Sequence, residues 1–276
     1  MRENIWKNLK LGFKTNKLAI AGLVAIILLA LISIFAFLYP VDPNAISLDR
    51  LVKPCLEHPF GTDEMGRDYF ARCIYGGRAS LLVGFLAMIL STLIGTVIGS
   101  ISGFMGGTVD AVLMRLVDAL MSLPTFLIMI VMNAFMKPGL KSIVLIIGFM
   151  TWMNIARIVR GETISLNSRE YVIYAKISGQ KTISTILKHI LPNIMPTIIV
   201  AATMNIASAI LMESSLSFFG LGIQPPTASW GSMLSNAQKY IQQAPHMAIF
   251  PGLLILITVI SFNYLGEVMR KVFEPK

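Results

Sequence analysis

The sequence predicts an all-α membrane protein with six transmembrane helices, and three observations carry that prediction. The 276 residues are 55% apolar and only 13% charged, about half the charged fraction of a soluble domain. Uncharged apolar runs recur at the length a helix needs to cross lipid. Lys and Arg, which give a formal net charge of +9, gather at Arg2–Lys17, Arg157–Lys188 and Arg270–Lys276. Counting alternate spans puts these clusters on one side, the pattern of a cytoplasmic face, with both termini there. The charge thus reports orientation and not a nucleic-acid ligand.

The spans are expected at about 18–38, 80–103, 112–136, 141–157, 197–214 and 247–268. The first, Leu18 to Leu38, is uncharged with Ser33 its only hydroxyl; at about 1.5 Å per residue it matches a hydrocarbon core of about 30 Å. It is too long for a signal-peptide core, and no small-residue cleavage site follows, so it reads as an uncleaved anchor. The loop after it, Tyr39 to Gly77, is expected outside despite holding Arg50, Lys53, Arg67 and Arg72. From Arg67 to Ile74 apolar and charged residues mix at helical spacing, as in a short amphipathic helix lying along the outer surface. Cys55 and Cys73 both fall in this loop. On an oxidising side they are a possible disulfide, but shared location does not establish proximity, and two separate thiols are the default reading.

The second span carries Ser91, Gly95, Gly99 and Gly103 at four-residue spacing. Small residues let helix backbones approach closely in lipid, either at a seam between two copies or, as favoured here, within the subunit's own bundle. In the third span Pro124 is expected to kink the helix near Leu120, and Asp118 to pair with Arg115 three residues earlier. Trp152 in the fourth span reads as an interfacial or packing residue. In the fifth, Asn205, Ser208, Ala209 and Met212 share one helix face with Glu213 at its outer end, a candidate wall for a translocation path; hydrogen bonding between helices is the competing role. The run Leu216–Gly231 must turn at Gly220, Gly222, Pro225 and Pro226, and Phe218, Phe219 and Trp230 suit an interfacial aromatic belt.

The longest polar interruption in the second half runs from Glu170 to Pro196. Tyr171, Tyr174, Ala175 and Ser178 recur at helical spacing before Gly179, and Ile183, Ile186, Leu187, Ile190 and Leu191 form an apolar stripe after it. A bend at Gly179 between two short helices is expected. Docking of a soluble partner and burial among lipid headgroups both suit such a pair.

This stretch resembles the EAA loop of permease subunits of ATP-binding-cassette importers. Ile173-Tyr174-Ala175, then Gly179, then His189-Ile190-Leu191-Pro192 keep that motif's spacing, while Ile173, Tyr174 and His189 depart from its residue types and leave Glu170 as the nearest carboxylate. The run His58–Asp68, HPFGTD-x-x-GRD in form, and LSFFGLGIQPPTASWG at Leu216–Gly231 resemble the dipeptide, oligopeptide and nickel branch of that family. The resemblance implies a type I importer permease fold of the MetI-like kind, with an N-terminal segment over 1–78 and a five-helix core over 79–276 that carries a cytoplasmic coupling loop at 158–195. It implies that Glu170, Tyr174, Ala175, Gly179, His189, Leu191 and Pro192 meet the ATPase, and that Gly220, Gly222, Pro225, Pro226 and Trp230 shape an external signature loop. The implied partners are a second similar permease, two ATPase subunits and an external binding protein in a cell membrane. The resemblance puts ATP and Mg on those ATPase subunits and implies no cofactor bound by this chain. Di- or oligopeptides are the implied substrate, with nickel or a metal chelate the alternative.

No G-x-x-x-x-G-K-[ST] loop occurs, so ATP hydrolysis is not expected from this chain; nor do protease or nucleophile motifs occur. His58 and His246 stand alone in sequence, which fits hydrogen-bonded residues better than metal ligands. The 17 Met, scattered through apolar spans, read as packing. Two rival classes remain at this stage. An ion-gradient-driven secondary transporter needs membrane-depth carboxylates on its path, and a scaffold would use the polar loop for recruitment alone.

Overall fold

The computed structural model describes residues 16–273; the basic residues from Arg2 to Lys14 and the last three residues lie outside them. Ten α-helices follow among the described residues: α1 Lys17–Ile34, continued by a 3₁₀ turn at Phe35–Leu38, α2 Tyr69–Met105, α3 Gly107–Met121, α4 Thr125–Phe135, α5 Leu140–Asn167, α6 Glu170–Ile177, α7 Thr182–Thr185, α8 Leu191–Phe218, α9 Trp230–Ala237 and α10 His246–Phe273. A single isolated bridge, Thr62 to Asp68, is the β structure among them. Five segments are long and apolar enough to cross a membrane, and α3 with α4 supplies a sixth if the bent pair counts as one span. The bundle therefore has a loop end, where 39–68 and 219–245 lie, and a hairpin end, where α6 and α7 lie.

The seam of small residues settles where the core sits. A Cβ on Gly95 would stand 2.7 Å from Trp152 O, one on Gly99 2.4 Å from Ala156 O and one on Gly103 2.7 Å from Arg160 O. The glycines thus zip α2 onto α5, inside the subunit as favoured from the sequence, and Trp152 is a buried packing residue beside Val117 and Met153. Val83, Ala87, Ile143, Ile147 and Leu216 fill the layer nearer the loop end. Ala19 of α1 packs on Val268 and Val272 of α10.

Three expectations change. The short outer helix at 67–74 is no separate element: its residues open α2, a continuous helix of 37 residues. Asp68 caps it by accepting from Ala71 N at 2.7 Å. Gly76 and Gly77 do not break it, because Gly77 is where Ser33 and Trp230 close in, within 2.4 and 2.9 Å of where a Cβ would be. At Pro124 the chain does more than kink: α3 stops at Met121 and α4 leaves at 85°, since the proline offers no N–H to the preceding turn. Asp118 pairs with Arg157 on α5 instead of Arg115. The two cysteines are separate, as the default reading has it, and form no bridge: Cys55 is exposed and Cys73 buried, both thiols free, and Cys73 faces Tyr69, Ala228 and Met233 in a packed cluster.

Candidate coupling hairpin and outer loops

The hairpin between α5 and α8 is built around a turn of defined chemistry. Gln180 N donates to Ala175 O at 3.1 Å and Gly179 N to Lys176 O at 3.0 Å, the paired bonds of a Schellman motif. Such a motif needs a left-handed residue after the helix, and Gly179 supplies it with φ +73°. The bend expected at Gly179 is therefore a helix stop.

The apolar stripe expected after Gly179 is out of register. Ile186 and Ile190 are buried beside Ile194, Phe104, Val159 and Val172, whereas Ile183 and Leu187 are 73% and 55% exposed. These residues thus fall into two lines four residues apart, Ile183 and Leu187 outward and Ile186, Ile190 and Ile194 inward, and a π-turn over Ile186–Ile190, in which Leu191 N donates to Ile186 O, joins the segment to α8. Pro192, with no N–H, suits that turn.

The hairpin sits on the ends of α2 and α5 through its inner side. Val172 is fully buried. Lys176 Nζ donates to Asn167 Oδ1 at 2.6 Å, and Asn167 Nδ2 donates to Phe104 O at 3.2 Å. The same ammonium lies 4.6 Å over the Phe104 ring. Asp110 and Arg160, joined by two bonds of 2.5 and 2.6 Å, clamp α3 to α5 beside it.

Among the residues assigned to ATPase contact, the structure gathers Tyr174, Ala175 and His189 around one cleft, together with Tyr171, Ser178 and Gln180. Glu170 is exposed in the first turn of α6, where a carboxylate suits the helix dipole. Gly179 and Pro192 are exposed and Leu191 half-buried. Sequence reasoning missed Lys176, Asn167 and Phe104, whose partners lie far apart in the chain.

At the loop end the HPFGTD-x-x-GRD run forms an ionic staple. Asp63 accepts from Arg67 Nε at 2.7 Å and lies 3.5 Å from Arg72 Nε. His58 Nδ1 meets Asp68 Oδ2 at 2.9 Å, and Thr62 Oγ1 donates to Asp49 O at 2.5 Å. Phe60 stacks on Phe250 of α10 at 3.8 Å, and His246 Nε2 lies 3.3 Å from Thr62 O. Both histidines are thus hydrogen-bonded.

The candidate path residues divide. Ser208 is exposed on α8 and Asn205 and Met212 are half-buried, but Glu213 is fully buried, turned away from the exposed side. Its carboxylate accepts from Ser80 Oγ at 3.1 Å and Ser217 Oγ at 2.7 Å. Trp230 N donates to that same Ser80 Oγ at 3.2 Å, and Trp230 Nε1 to Cys73 O at 2.9 Å. Trp230 is therefore a core residue, 1% exposed, and not an interfacial anchor; Phe219 stays exposed. Gly222 has no room for a side chain, a Cβ there lying 1.7 Å from Ser217 Oγ, while Gly220 turns the loop at φ +77°. Gln224 Nε2 closes it by donating to Gly220 O at 3.0 Å, and Pro225-Pro226 follow.

This arrangement predicts an asymmetric response at Glu213. Glu213→Gln keeps a carbonyl acceptor for one serine and can donate its amide N–H to the other's hydroxyl oxygen, and is expected to leave the purified protein's thermal midpoint nearly unchanged. Glu213→Leu strands Ser80 and Ser217 at about 1–3 kcal/mol for a buried unsatisfied group, and a clear drop is expected. Equal midpoints for the two variants would contradict the network.

A membrane-length helical bundle with a protruding polar loop seated on two core helices is the architecture of a transport component, and the relatives of this chain are transporter permease subunits rather than enzymes. The chain belongs to the binding-protein-dependent transport system inner membrane component family, whose model matches residues 95–276, and it is a multi-pass component of the inner membrane. Residues 4–56 match the N-terminal transmembrane domain of oligopeptide transport permease C. The chain is 39% identical to the oligopeptide transport system permease protein OppC of Bacillus subtilis, over 99% of this chain and 90% of that protein. It is 39% identical to Escherichia coli OppC, over 99% and 92%, and 40% identical to the dipeptide permease DppC of Alkalihalophilus pseudofirmus, over 98% and 90%. Among solved structures it resembles the inward-facing MetNI methionine ABC transporter, with a TM-score of 0.61 over 74% of this chain and 97% of that chain at 16% identity. That likeness supports the type I importer permease fold. Nickel, the alternative substrate read from the sequence, finds no support in these relatives.

Proposed function

We propose that this chain is one of two similar permeases in an ATP-driven importer of di- or oligopeptides. ATPase subunits hold the α6–α7 hairpin from the cytoplasm, where both termini lie, and a binding protein delivers peptide at the loop end. ATP and Mg reside on the ATPases. The observation that carries this reading is the two-sided hairpin. Its inner side is locked to α2 and α5, while Tyr174, Ile177 and Ile183 stand 67%, 77% and 73% exposed with Lys181 and Lys188 beside them. A cluster of exposed apolar groups rimmed by charge is the signature of a docking surface.

The mechanism follows from the contacts. A rigid element transmits a push only where it is packed. Closure of the ATPases displaces α6, and Val172 with the Lys176–Asn167–Phe104 chain passes the displacement to the ends of α2 and α5. The glycine seam keeps those two helices together. α2 spans about 55 Å at 1.5 Å per residue and carries Ser80 into the Glu213 network, so the displacement reaches the loops at the other end. A gradient-driven transporter is less well served: Asp118 is paired with Arg157 and Glu213 is held among serines.

Co-purification with ATPase subunits and ATP-dependent peptide uptake by the reconstituted assembly test this reading; uptake driven by a proton or sodium gradient without ATP overturns it. Lys176→Met is expected to lower peptide transported per ATP hydrolysed severalfold while the assembly still forms. An unchanged ratio would remove Lys176 from the path of force.

A further inference from the structure

A cavity of about 650 Å³ opens at the loop end between the first loop, α2 and the 226–228 stretch. Tyr39, Asp42, Asn44, Tyr75, Arg78 and Thr227 bring polar chemistry to its lining. Its volume lies in the range of small-molecule sites. Both walls are held in place from behind. The buried Arg72, 3.5 Å from Asp63, donates to Pro43 O at 3.2 Å and to Asn44 Oδ1 at 3.4 Å. Asn44 N donates to Asp42 Oδ1 at 2.8 Å, and the Tyr39 ring meets Phe70 edge-on at 5.2 Å. On the opposite side Ser229 caps α9, and Trp230 N is bonded to Ser80 Oγ.

Arg78 is the cation of this cavity. Its guanidinium lies 6.0 Å over the Tyr75 ring, it is exposed, and it enters no ion pair among the described residues. It stands nine residues into α2, about 14 Å along the axis, near the level where the expected span begins. A guanidinium presents a planar fork that matches a carboxylate with two bonds. Asn44 and Thr227 offer groups for a peptide backbone, and the tyrosines and prolines offer apolar surface for a side chain.

We propose that this cavity is a receiving subsite for the carboxylate end of a peptide, with Arg78 its specificity-determining residue. The assignment rests on the peptide-uptake reading. Arg78 grips the free α-carboxylate of the arriving chain, and the Tyr39–Asn44 turn and the 226–228 stretch hold the residues before it.

The test uses the complete reconstituted assembly and a free-acid peptide carrying a photoreactive group on its last residue. Adducts are expected within residues 39–44, 75–82 and 226–228, and Arg78→Gln is expected to reduce their yield about tenfold or more, the range for a charge-assisted bond. Arg78→Lys, which keeps the charge without the fork, is expected to fall between. Adducts confined to other segments, or a yield independent of Arg78, overturn the subsite while leaving peptide uptake standing. Loss of adducts when anionic lipid replaces neutral lipid overturns it in favour of a headgroup phosphate on Arg78. Absence of peptide uptake by the unmodified assembly overturns the peptide reading and the subsite together.

Discussion

Gly179→Val is expected to abolish peptide uptake while the protein still inserts and the assembly still hydrolyses ATP. The strain at this position comes from the backbone alone, because nothing stands within 4 Å of a Cβ there while φ is +73°. An L-residue in the left-handed region costs about 1–2 kcal/mol, and a β-branched side chain tolerates it worst. The Schellman bonds at Gly179 and Gln180 would then give way, and α6 would lose its fixed angle to α7. Asn enters the left-handed region several-fold more readily than most residues, so Gly179→Asn is expected to retain most coupling. Measuring ATP hydrolysis and uptake in the same vesicles decides the matter. Normal transport in the Val variant would show that the turn is not the rigid link between motor and bundle.

Gly99→Val is expected to remove folded protein from the membrane altogether. Here the obstacle is steric and lies in backbone: the new Cβ would meet Ala156 O at 2.4 Å and Arg160 N at 3.0 Å. Neither atom can rotate aside, so α2 and α5 must separate. Overpacking costs about 1–3 kcal/mol where a core can adjust, and helix association in lipid depends on such packing. Separation would also disturb the Arg160–Asp110 clamp one turn on. Gly161→Val is the control, since a Cβ at Gly161 meets nothing within 4 Å and its yield is expected to stay near that of the parent. Folded yield after detergent extraction, read by size-exclusion chromatography, separates the two; equal yields would refute the seam.

The sequence exposes what depends on local chemistry and hides what depends on distant partners. Spacing of small residues announced the α2–α5 contact, and Gly179 announced its turn, because both follow from what a missing Cβ permits. The stripe at Ile183–Leu191 misled because apolar residues cover two helix lines there, and only contact with α2, α5 and α6 decides that Ile186 and Ile190 turn inward while Ile183 and Leu187 stay exposed. Trp230 resembled an interfacial aromatic until its indole N–H proved to have a carbonyl 157 positions away in the chain. Glu213 stood one residue beyond a small-polar face, and of its serine donors one lies a turn on in the same helix while the other, Ser80, comes from α2, 133 positions away. The outer helix at 67–74 merged with α2 because Asp68 caps the whole rod and nothing after it interrupts.

The elbow between α3 and α4 bears on what surrounds the molecule. At about 1.5 Å per residue, 15-residue α3 and 11-residue α4 are about 22 and 16 Å long, and neither alone reaches across about 30 Å of hydrocarbon. Ser122 N still donates to Asp118 O and Pro124 O accepts from Leu127 N, but the main-chain groups of Leu123 between them join neither helical ladder, and acyl chains offer them nothing to bond. Ser122 Oγ reaches back to Ala119 O at 2.8 Å, while Leu123 remains 53% exposed. That flank is therefore shielded by protein or wetted by water, and oil is the one neighbour it must avoid.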